Sequence, residues 1–259
     1  MTVETFPNLT EGALRRLAQD VAFALKPGDL LALEGDLGAG KTTFARALIE
    51  ALAHTPGMEI PSPTFTLVQS YEAPRFEIAH FDLYRLGAPD ELNELGLDHA
   101  LSRGIAMIEW PERAGDLLPS ERFTLRLSET ENADTRDVTL RATPALAPRL
   151  KRLVEIRTFL DQEGWGAPDS RLSYLQGDAS PRRYARTAKA HGDKAILMDS
   201  PRQPDGPPVR DGLPYSRIAF LAEDVRPFVA IAQALRANGF SAPRILAHDL
   251  EKGFLLIED

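Results

Sequence analysis

Short apolar runs alternate with amphipathic stretches along the first half of the chain. Leu30–Leu33 is uniformly apolar, which is typical of a strand buried on both faces of a sheet. Apolar residues recur every three or four positions after Thr10, which predicts a helix with Thr10 as its N-cap that ends at Leu25. Residues 41–52 have the same period and predict a second helix. Further extended segments are predicted over residues 65–71, 76–81, 105–109, 124–127 and 138–140. The last two are predicted to form a hairpin, or at least two extended pieces.

This interleaving of strands and helices predicts the fold class of the first half. We expect an α/β fold with a mainly parallel sheet and helices on both of its faces. The pattern changes near the sequence TPALAP at residues 143–148, where we place a domain boundary. The chain is therefore predicted to divide into a first domain of residues 1–147 and a second of residues 148–259.

The second half predicts a smaller α+β domain. A helix over residues 148–162 is followed by three predicted strands and a loop at 200–214 that contains five prolines. The remaining elements are a helix over 225–238 and two closing strands. The predicted strands cover residues 172–176, 184–188, 195–199, 245–248 and 254–257.

Composition narrows the possible functions. Residues 1–150 carry 14 basic and 23 acidic side chains, so this half is poorly suited to gripping a nucleic-acid backbone without a protein partner. The sequence has no cysteine, which excludes disulfides, a thiolate nucleophile and cysteine-ligated metal or iron–sulfur sites. No apolar run approaches the ~18 residues of a membrane span, and the amino terminus does not resemble a secretion signal. A cytoplasmic protein is expected.

The strongest chemical signal is a glycine-rich phosphate-binding loop between the first predicted strand and the helix after it. Residues 35–42 match G-x-x-x-x-G-K-T, which predicts a P-loop NTPase-like domain. Glycines allow backbone N–H groups to approach a phosphate closely, and the helix N-terminus adds its dipole. Lys41 is predicted to reach the phosphates and Thr42 to bind Mg²⁺. The predicted nucleotide-contacting residues of this segment are Gly35, Asp36, Gly38, Ala39, Gly40, Lys41, Thr42 and Thr43.

Two carboxylates end neighbouring predicted strands. P-loop enzymes use such carboxylates to hold the metal and to orient the attacking water. Glu109 follows the apolar run IAMI and suits the magnesium position, directly or through water, and Asp82 ends the strand before it. Thr64 lies between the P-loop helix and the next strand, where it is a candidate sensor of the γ-phosphate. Trp110 is a candidate to flank the nucleotide.

Five motifs in a fixed order resemble the TsaE family, also called YjeE. They are GDLGAGKTT (35–43), SPTFTLVQSY (62–71), HFDLYRL (80–86), DELNELGLD (90–98) and IEWPER (108–113). Members of this family are the ATPase subunit of the bacterial machinery that makes N6-threonylcarbamoyladenosine in tRNA. The resemblance covers roughly residues 5–142, about half of the chain.

This resemblance implies a small P-loop fold that binds ATP with Mg²⁺ and works with TsaD-like and TsaB-like subunits. The tRNA is reached only indirectly, through that complex. Carried over position by position, the resemblance implies Lys41 and Thr42 for phosphate and metal, and Glu109 as the acidic metal residue. It also implies that Asp82 is needed for hydrolysis and that Trp110 lies near the nucleotide. Thr10 matches a region near the nucleotide base.

The second half resembles the nucleotide-binding lobe of aminoglycoside-phosphotransferase-like kinases, especially those acting on N-acetylmuramate or N-acetylglucosamine. The resemblance rests on the glycine-containing segment at 174–186, on AILMDSP at 195–201 and on LLIED at 255–259. No lysine lies within 195–198, and the only nearby candidate for an H-x-D-type catalytic loop is His248-Asp249. We therefore expect a partial kinase lobe without its catalytic lobe, and no sugar phosphorylation by this chain.

Other readings stay open at this point. A GTP-driven switch is disfavoured because no N-K-x-D or T-K-x-D motif occurs in the sequence. A small-molecule phosphotransferase using its own P-loop is disfavoured because we find no basic lid or acceptor clamp. A bifunctional protein whose main activity, in an extended chain, is phosphorylation of the amino sugar is the remaining alternative.

Overall fold

The structure of the chain is a computed structural model that describes residues 1–175, 182–219 and 222–259. Contacts divide these residues into two compact units, one of 1–157 with 167–169 and one of 158–166 with 170–259. The division falls inside a helix that begins at Ala147, and the division into domains at residue 147 stays a prediction. Within the described ranges, no helix combines the length and the hydropathy needed to cross a bilayer.

The first unit, described throughout, is built on a seven-stranded sheet in the order β1-β7-β6-β2-β5-β4-β3. The strands are β1 (Thr2–Thr10), β2 (Leu30–Glu34), β3 (Val68–Tyr71), β4 (Glu77–Asp82), β5 (Gly104–Glu109), β6 (Phe123–Glu129) and β7 (Thr135–Ala142). Its helices are α1 (Glu11–Ala24), α2 (Lys41–Ala53), α3 (Leu97–Arg103) and 3-10 helices at Pro89–Asn93 and Pro111–Leu117, together with the part of α4 (Ala147–Gln162) up to residue 157.

The sheet is mixed, which qualifies the expectation of a mainly parallel one. The three central pairs, β6–β2, β2–β5 and β5–β4, are parallel, and the three outer pairs are antiparallel. The short connection between β6 and β7 explains one antiparallel pair, because parallel neighbours need a long crossover. The parallel centre is what places the ends of β2, β4 and β5 at one edge.

Apolar side chains cover both faces of this sheet. Leu31 and Leu33 belong to a cluster that includes α1, α2 and the start of α4. Leu30 and Ala32 point to the opposite face and pack with α3 and the 3-10 helices. This alternation explains why β2 is apolar throughout, since a strand covered on both faces has no solvent side.

The described part of the second unit contains a five-stranded antiparallel sheet in the order β13-β14-β10-β9-β8. One helix, α6, packs on it through Val225 and Val229, which contact Met198, Leu255 and Ile257. The elements of this unit are β8 (Arg171–Leu175), β9 (Arg183–Ala188), β10 (Lys194–Asp199), β11 (Pro208–Arg210), β12 (Leu213–Pro214), α5 (Tyr215–Ile218), α6 (Arg226–Ala237), β13 (Ile245–Asp249) and β14 (Phe254–Glu258).

Several predicted elements differ from the structure. The segment 200–214, predicted as a loop, contains the short hairpin β11–β12. The strand predicted from Phe65 begins only at Val68, because Leu67 has a positive φ of 63° and closes a turn with Pro63. Strand β1 was not predicted, since it is polar and contains Pro7. Most of the predicted glycine-containing loop of the second half, at 176–181, lies outside the described residues.

Candidate functional site

The P-loop connects the carboxyl end of β2 to the first turn of α2. Gly35, Gly38 and Gly40 have φ values of 141°, 83° and 103°, a region that L side chains rarely adopt. A Cβ at Gly35 would also lie 2.6 Å from the carbonyl oxygen of Leu127 in β6. Glycine is therefore required at position 35 for space as well as for conformation.

Lys41 is held inside this loop. Its Nζ donates hydrogen bonds to the carbonyl oxygens of Gly35 at 2.6 Å and Asp36 at 2.9 Å. The same ammonium lies 3.6 Å from the centroid of the Trp110 ring, which is a cation–π contact. The residue is only 4% exposed, so a buried cation lies at the centre of the loop.

The pKa of Lys41 is lowered from its ordinary value, chiefly because burial removes water from the ammonium. The carboxylates of Glu109, Glu112, Asp82 and Asp36 act in the opposite direction, since each favours the charged lysine. These carboxylates therefore partly offset the effect of burial on the Lys41 pKa. The ammonium faces the cavity beside the P-loop, where an incoming anion would meet it.

Glu109, at the end of β5, connects to the P-loop helix. Its Oε2 accepts a hydrogen bond of 2.9 Å from the Thr42 hydroxyl, and its Oε1 lies 2.9 Å from Nε2 of His80. Glu109 is 2% exposed and pairs in parallel register with Asp82 of β4. Two carboxylates from neighbouring strands are thereby brought to the same sheet edge as the P-loop.

Asp82 is the centre of a second hydrogen-bond network. Its Oδ2 accepts from the hydroxyls of Ser62 at 3.0 Å and Thr64 at 2.7 Å. Its Oδ1 accepts from the backbone N–H of Tyr84 at 3.1 Å. The segment around Thr64 is therefore attached to a buried carboxylate, and a movement of one would be transmitted to the other.

Trp110 lies in the left-handed region, with φ 61° and ψ 51°, immediately before Pro111. This conformation is unusual for a bulky residue and costs roughly 1–2 kcal/mol. The ring contacts the Lys41 ammonium and also Tyr84, whose ring centroid lies 5.0 Å from that of Trp110. The turn after β5 thus directs an aromatic side chain over the loop.

Two cavities flank the P-loop. The first, about 320 Å³, we name the P-loop cavity; its lining residues are Leu37, Gly38, Gly40, Lys41, Thr42, Thr43, Ser62, Thr64, Asp82, Tyr84, Glu109 and Trp110. The second, about 340 Å³, is lined partly by Gly35, Asp36, Ala39 and again Trp110. All these residues lie within the described range 1–175. Of the residues predicted to form the site, Thr10 alone lines neither cavity.

Thr10 has a clear local role. Its Oγ1 accepts a hydrogen bond of 3.3 Å from the backbone N–H of Ala13, which makes it the N-cap of α1. In the register of the sheet it pairs with Thr135 of β7. Its proposed proximity to a nucleotide base stays a prediction.

Sequence reasoning missed three side chains at this site: His80, Ser62 and Tyr84. His80 and Asp82 stand two positions apart in β4, so both point to the same face of an otherwise apolar strand. That spacing was a usable signal for His80. The contact of Ser62 with Asp82 joins segments 20 residues apart, and nothing in the local sequence indicates it.

Comparisons with known proteins agree on the first unit. The family model described as "Threonylcarbamoyl adenosine biosynthesis protein TsaE" matches residues 9–138. The TsaE of Rickettsia conorii is 42% identical over 48% of this chain and 70% of its own length. The TsaE of Bacillus subtilis is 38% identical over 49% of this chain and 78% of its own length.

A solved structure gives the same result for the fold. The crystal structure of YdiB from Bacillus subtilis is 28% identical, with a TM-score of 0.50, and is matched over 96% of its length and 60% of this chain. The residues matched by the family model contain the P-loop and most of the mixed sheet. Through the residues of its first unit, this chain belongs to the TsaE family.

Proposed function

We propose that this protein binds and hydrolyses ATP with Mg²⁺ and thereby supports the biosynthesis of threonylcarbamoyladenosine in tRNA. The observation that carries the proposal is the convergence of Lys41, Thr42, Glu109 and Asp82 on one cavity beside the P-loop. The names of the TsaE relatives supply the biological process. ATP is favoured over GTP because the sequence has no N-K-x-D motif.

The residues present fit a magnesium ion held jointly with phosphates. Thr42 and Glu109 offer a hydroxyl and a carboxylate, the hard oxygen ligands that Mg²⁺ prefers. Among the described residues there is no group of three or more acidic, histidine or cysteine side chains able to hold a metal alone. Such a site is typical of Mg²⁺ bound by one or two protein oxygens, phosphates and water. The ion would neutralise charge on the phosphates.

Asp82 is proposed as the carboxylate needed for hydrolysis. Its hydrogen bonds with Ser62 and Thr64 fix its orientation and connect it to the segment proposed to sense the γ-phosphate. Loss of Asp82 is therefore expected to affect the chemical step more than the affinity for nucleotide, since water is oriented mainly in the transition state.

The first test is nucleotide binding and turnover by the full chain. Lys41→Ala removes a charge-assisted bond to phosphate and should weaken ATP and ADP binding by about 10- to 150-fold. Asp82→Ala and Glu109→Ala should lower kcat more than they lower the affinity for nucleotide. Glu121→Ala serves as a control, because this exposed carboxylate lines neither cavity. Normal binding and turnover by the Lys41→Ala protein would overturn the proposal.

We further propose that TsaD-like and TsaB-like subunits are the partners, with tRNA reached only through them. The acidic charge of residues 1–150 supports this arrangement, because it disfavours direct contact with a phosphate backbone. Purified host subunits should bind the chain in an ATP-dependent manner and stimulate its turnover. Fast hydrolysis by the isolated chain that partners leave unchanged would contradict this part of the proposal.

For the second unit we propose similarity to the nucleotide-binding lobe of amino-sugar kinases. The five-stranded antiparallel sheet, with α6 between its third and fourth strands along the chain, supports it. The predicted candidate His248-Asp249 ends strand β13 of the same sheet. An H-x-D spacing, His191-Gly192-Asp193, lies in the turn between β9 and β10, where His191 contacts Asp193. We therefore expect no phosphorylation of N-acetylmuramate or N-acetylglucosamine in a Lys41→Ala background, measured with labelled ATP. Stoichiometric sugar phosphate would show that the expectation is wrong.

A further inference from the structure

His80 lies in the centre of β4, where it is fully buried in the sheet. Its Nε2 is 2.9 Å from Oε1 of Glu109, and the two side chains come from neighbouring parallel strands. Its other ring nitrogen, Nδ1, is buried, and among the described side chains it has no hydrogen-bond partner. An imidazole with one hydrogen-bonded nitrogen and one buried nitrogen without a partner is unusual, because most buried polar groups in proteins are hydrogen-bonded.

The geometry defines which nitrogen carries the proton. A carboxylate oxygen only accepts, so Nε2 must donate at this distance. A proton on Nδ1 would be a buried donor without an acceptor, which is costly. His80 is therefore present as the tautomer that donates from Nε2, and its hydrogen-bonding capacity is directed entirely at Glu109.

Glu109 is consequently fixed through both of its oxygens. His80 holds Oε1, and the Thr42 hydroxyl donates to Oε2. We infer that His80 is a positioning residue, which orients Glu109 so that Oε2 faces Thr42 and the pair can hold Mg²⁺. The inference rests on the proposed function, since it assigns a role toward the metal of that same site. It does not make His80 a ligand or a catalytic residue.

A purely structural role for His80 predicts a different outcome. If the ring only fills space in β4, a substitution should lower stability and affect all ligands alike. If it orients Glu109, the loss should be confined to the metal, because Lys41 and the P-loop backbone bind phosphates without Glu109. Hydrogen-bond partners of metal-binding carboxylates typically change metal affinity by about 10- to 100-fold when removed.

Three substitutions separate these roles. His80→Gln places an amide N–H close to the position of the original Nε2, so it should preserve the hydrogen bond to Glu109. His80→Leu fills similar space without a donor. His80→Asn retains a polar donor but is one bond shorter, so it should not reach Glu109. The last variant also replaces His80→Leu in the comparison if the leucine protein does not fold.

The experiment titrates MgCl₂ into the full chain saturated with ADP, with Trp165→Phe in every protein so that Trp110 is the fluorescent reporter. We expect His80→Leu and His80→Asn to raise the apparent Kd for Mg²⁺ by about 10- to 100-fold. We expect His80→Gln to stay within about threefold of the parent. ADP affinity in EDTA, measured by calorimetry, should change little in all three.

Each outcome bears on the inference. Unchanged Mg²⁺ affinity in His80→Leu or His80→Asn would overturn it, as would an equal loss in His80→Gln. Parallel losses of Mg²⁺ and metal-free ADP binding would assign His80 a structural role only. If the parent chain binds no ADP with Mg²⁺, the proposed function fails. If the parent binds ADP with Mg²⁺ but the His80 variants bind Mg²⁺ equally well, only the inference about His80 fails.

Discussion

At the scale of single residues, the two glycines at positions 35 and 38 of the P-loop differ in what they require. Gly35→Ala would combine a φ of 141° with a contact of 2.6 Å to the carbonyl oxygen of Leu127. Gly38→Ala has only the cost of placing an alanine at a φ of 83°, because nothing lies within 4 Å of the added Cβ. We expect losses in the free energy of unfolding of roughly 3 kcal/mol and roughly 1 kcal/mol respectively. Urea denaturation of nucleotide-free protein measures both, and equal losses would contradict the assignment.

The lowered pKa of Lys41 gives a prediction on pH dependence. Burial places the folded-state pKa below the ordinary value of 10.5, so within that interval the unfolded chain binds more protons than the folded one. The free energy of unfolding contributed by Lys41 therefore rises as pH increases through the interval toward 10.5. Lys41→Met removes this rise. Denaturation of both proteins from about pH 8 upward measures the difference, and a difference independent of pH would contradict the prediction.

At this scale the sequence predicted which residues of the P-loop lie together, but not the contacts between distant segments. The spacing of Lys41 and Thr42 in the motif was sufficient to place both at one cavity, because a P-loop is defined locally. The attachment of Thr64 to Asp82 and of His80 to Glu109 depends on how distant segments meet. These contacts depend on which strands are neighbours in the sheet. The periodicity of a single segment carries no information about strand order.

At the scale of elements, the N-cap of α1 is a local feature with a measurable contribution. The Oγ1 of Thr10 accepts from the backbone N–H of Ala13, and loss of such a cap typically costs about 0.5–2 kcal/mol. We expect Thr10→Ala to lower the free energy of unfolding by this amount and Thr10→Ser to retain most of it. Chemical denaturation followed by circular dichroism tests both, and equal stability of the two variants would contradict the capping role. A parallel change in ADP affinity would support the proximity of Thr10 to the base.

Elements with a strong period were predicted well, and elements without one were not. The helices α1, α2 and α4 follow from apolar residues spaced to form one face, and β2 and β5 from continuous apolar runs. Strand β1 carries no such pattern, because an edge strand has solvent on much of its surface. Its place is determined by antiparallel pairing with β7 instead. The hairpin predicted for residues 124–127 and 138–140 is confirmed by the antiparallel pair β6–β7. The pairing of β1 with β7 was not predicted, because β1 itself was not.

At the scale of the whole molecule, each unit has its own sheet and its own apolar cluster. The two tryptophans of the sequence fall one in each unit: Trp110 at the P-loop cavity and Trp165 in the second unit. Trp165 is buried and has the Lys189 ammonium 4.5 Å from its ring centroid. A single-tryptophan variant therefore reports the unfolding of one unit at a time.

Nucleotide should stabilise the first unit selectively. A ligand that binds only folded protein adds about 2.7 kcal/mol of stability at a hundredfold excess over its Kd. In Trp165→Phe protein, ADP with Mg²⁺ should raise the thermal midpoint reported by Trp110. In Trp110→Phe protein, with ADP at the same multiple of that protein's own measured Kd, the midpoint reported by Trp165 should stay unchanged, because the site belongs to the first unit.

Lys41→Ala in each background controls for nucleotide binding elsewhere in the chain. Equal shifts at both reporters would mean that the two units unfold as one cooperative body, and a shift at Trp165 that survives Lys41→Ala would place a second nucleotide site in the chain.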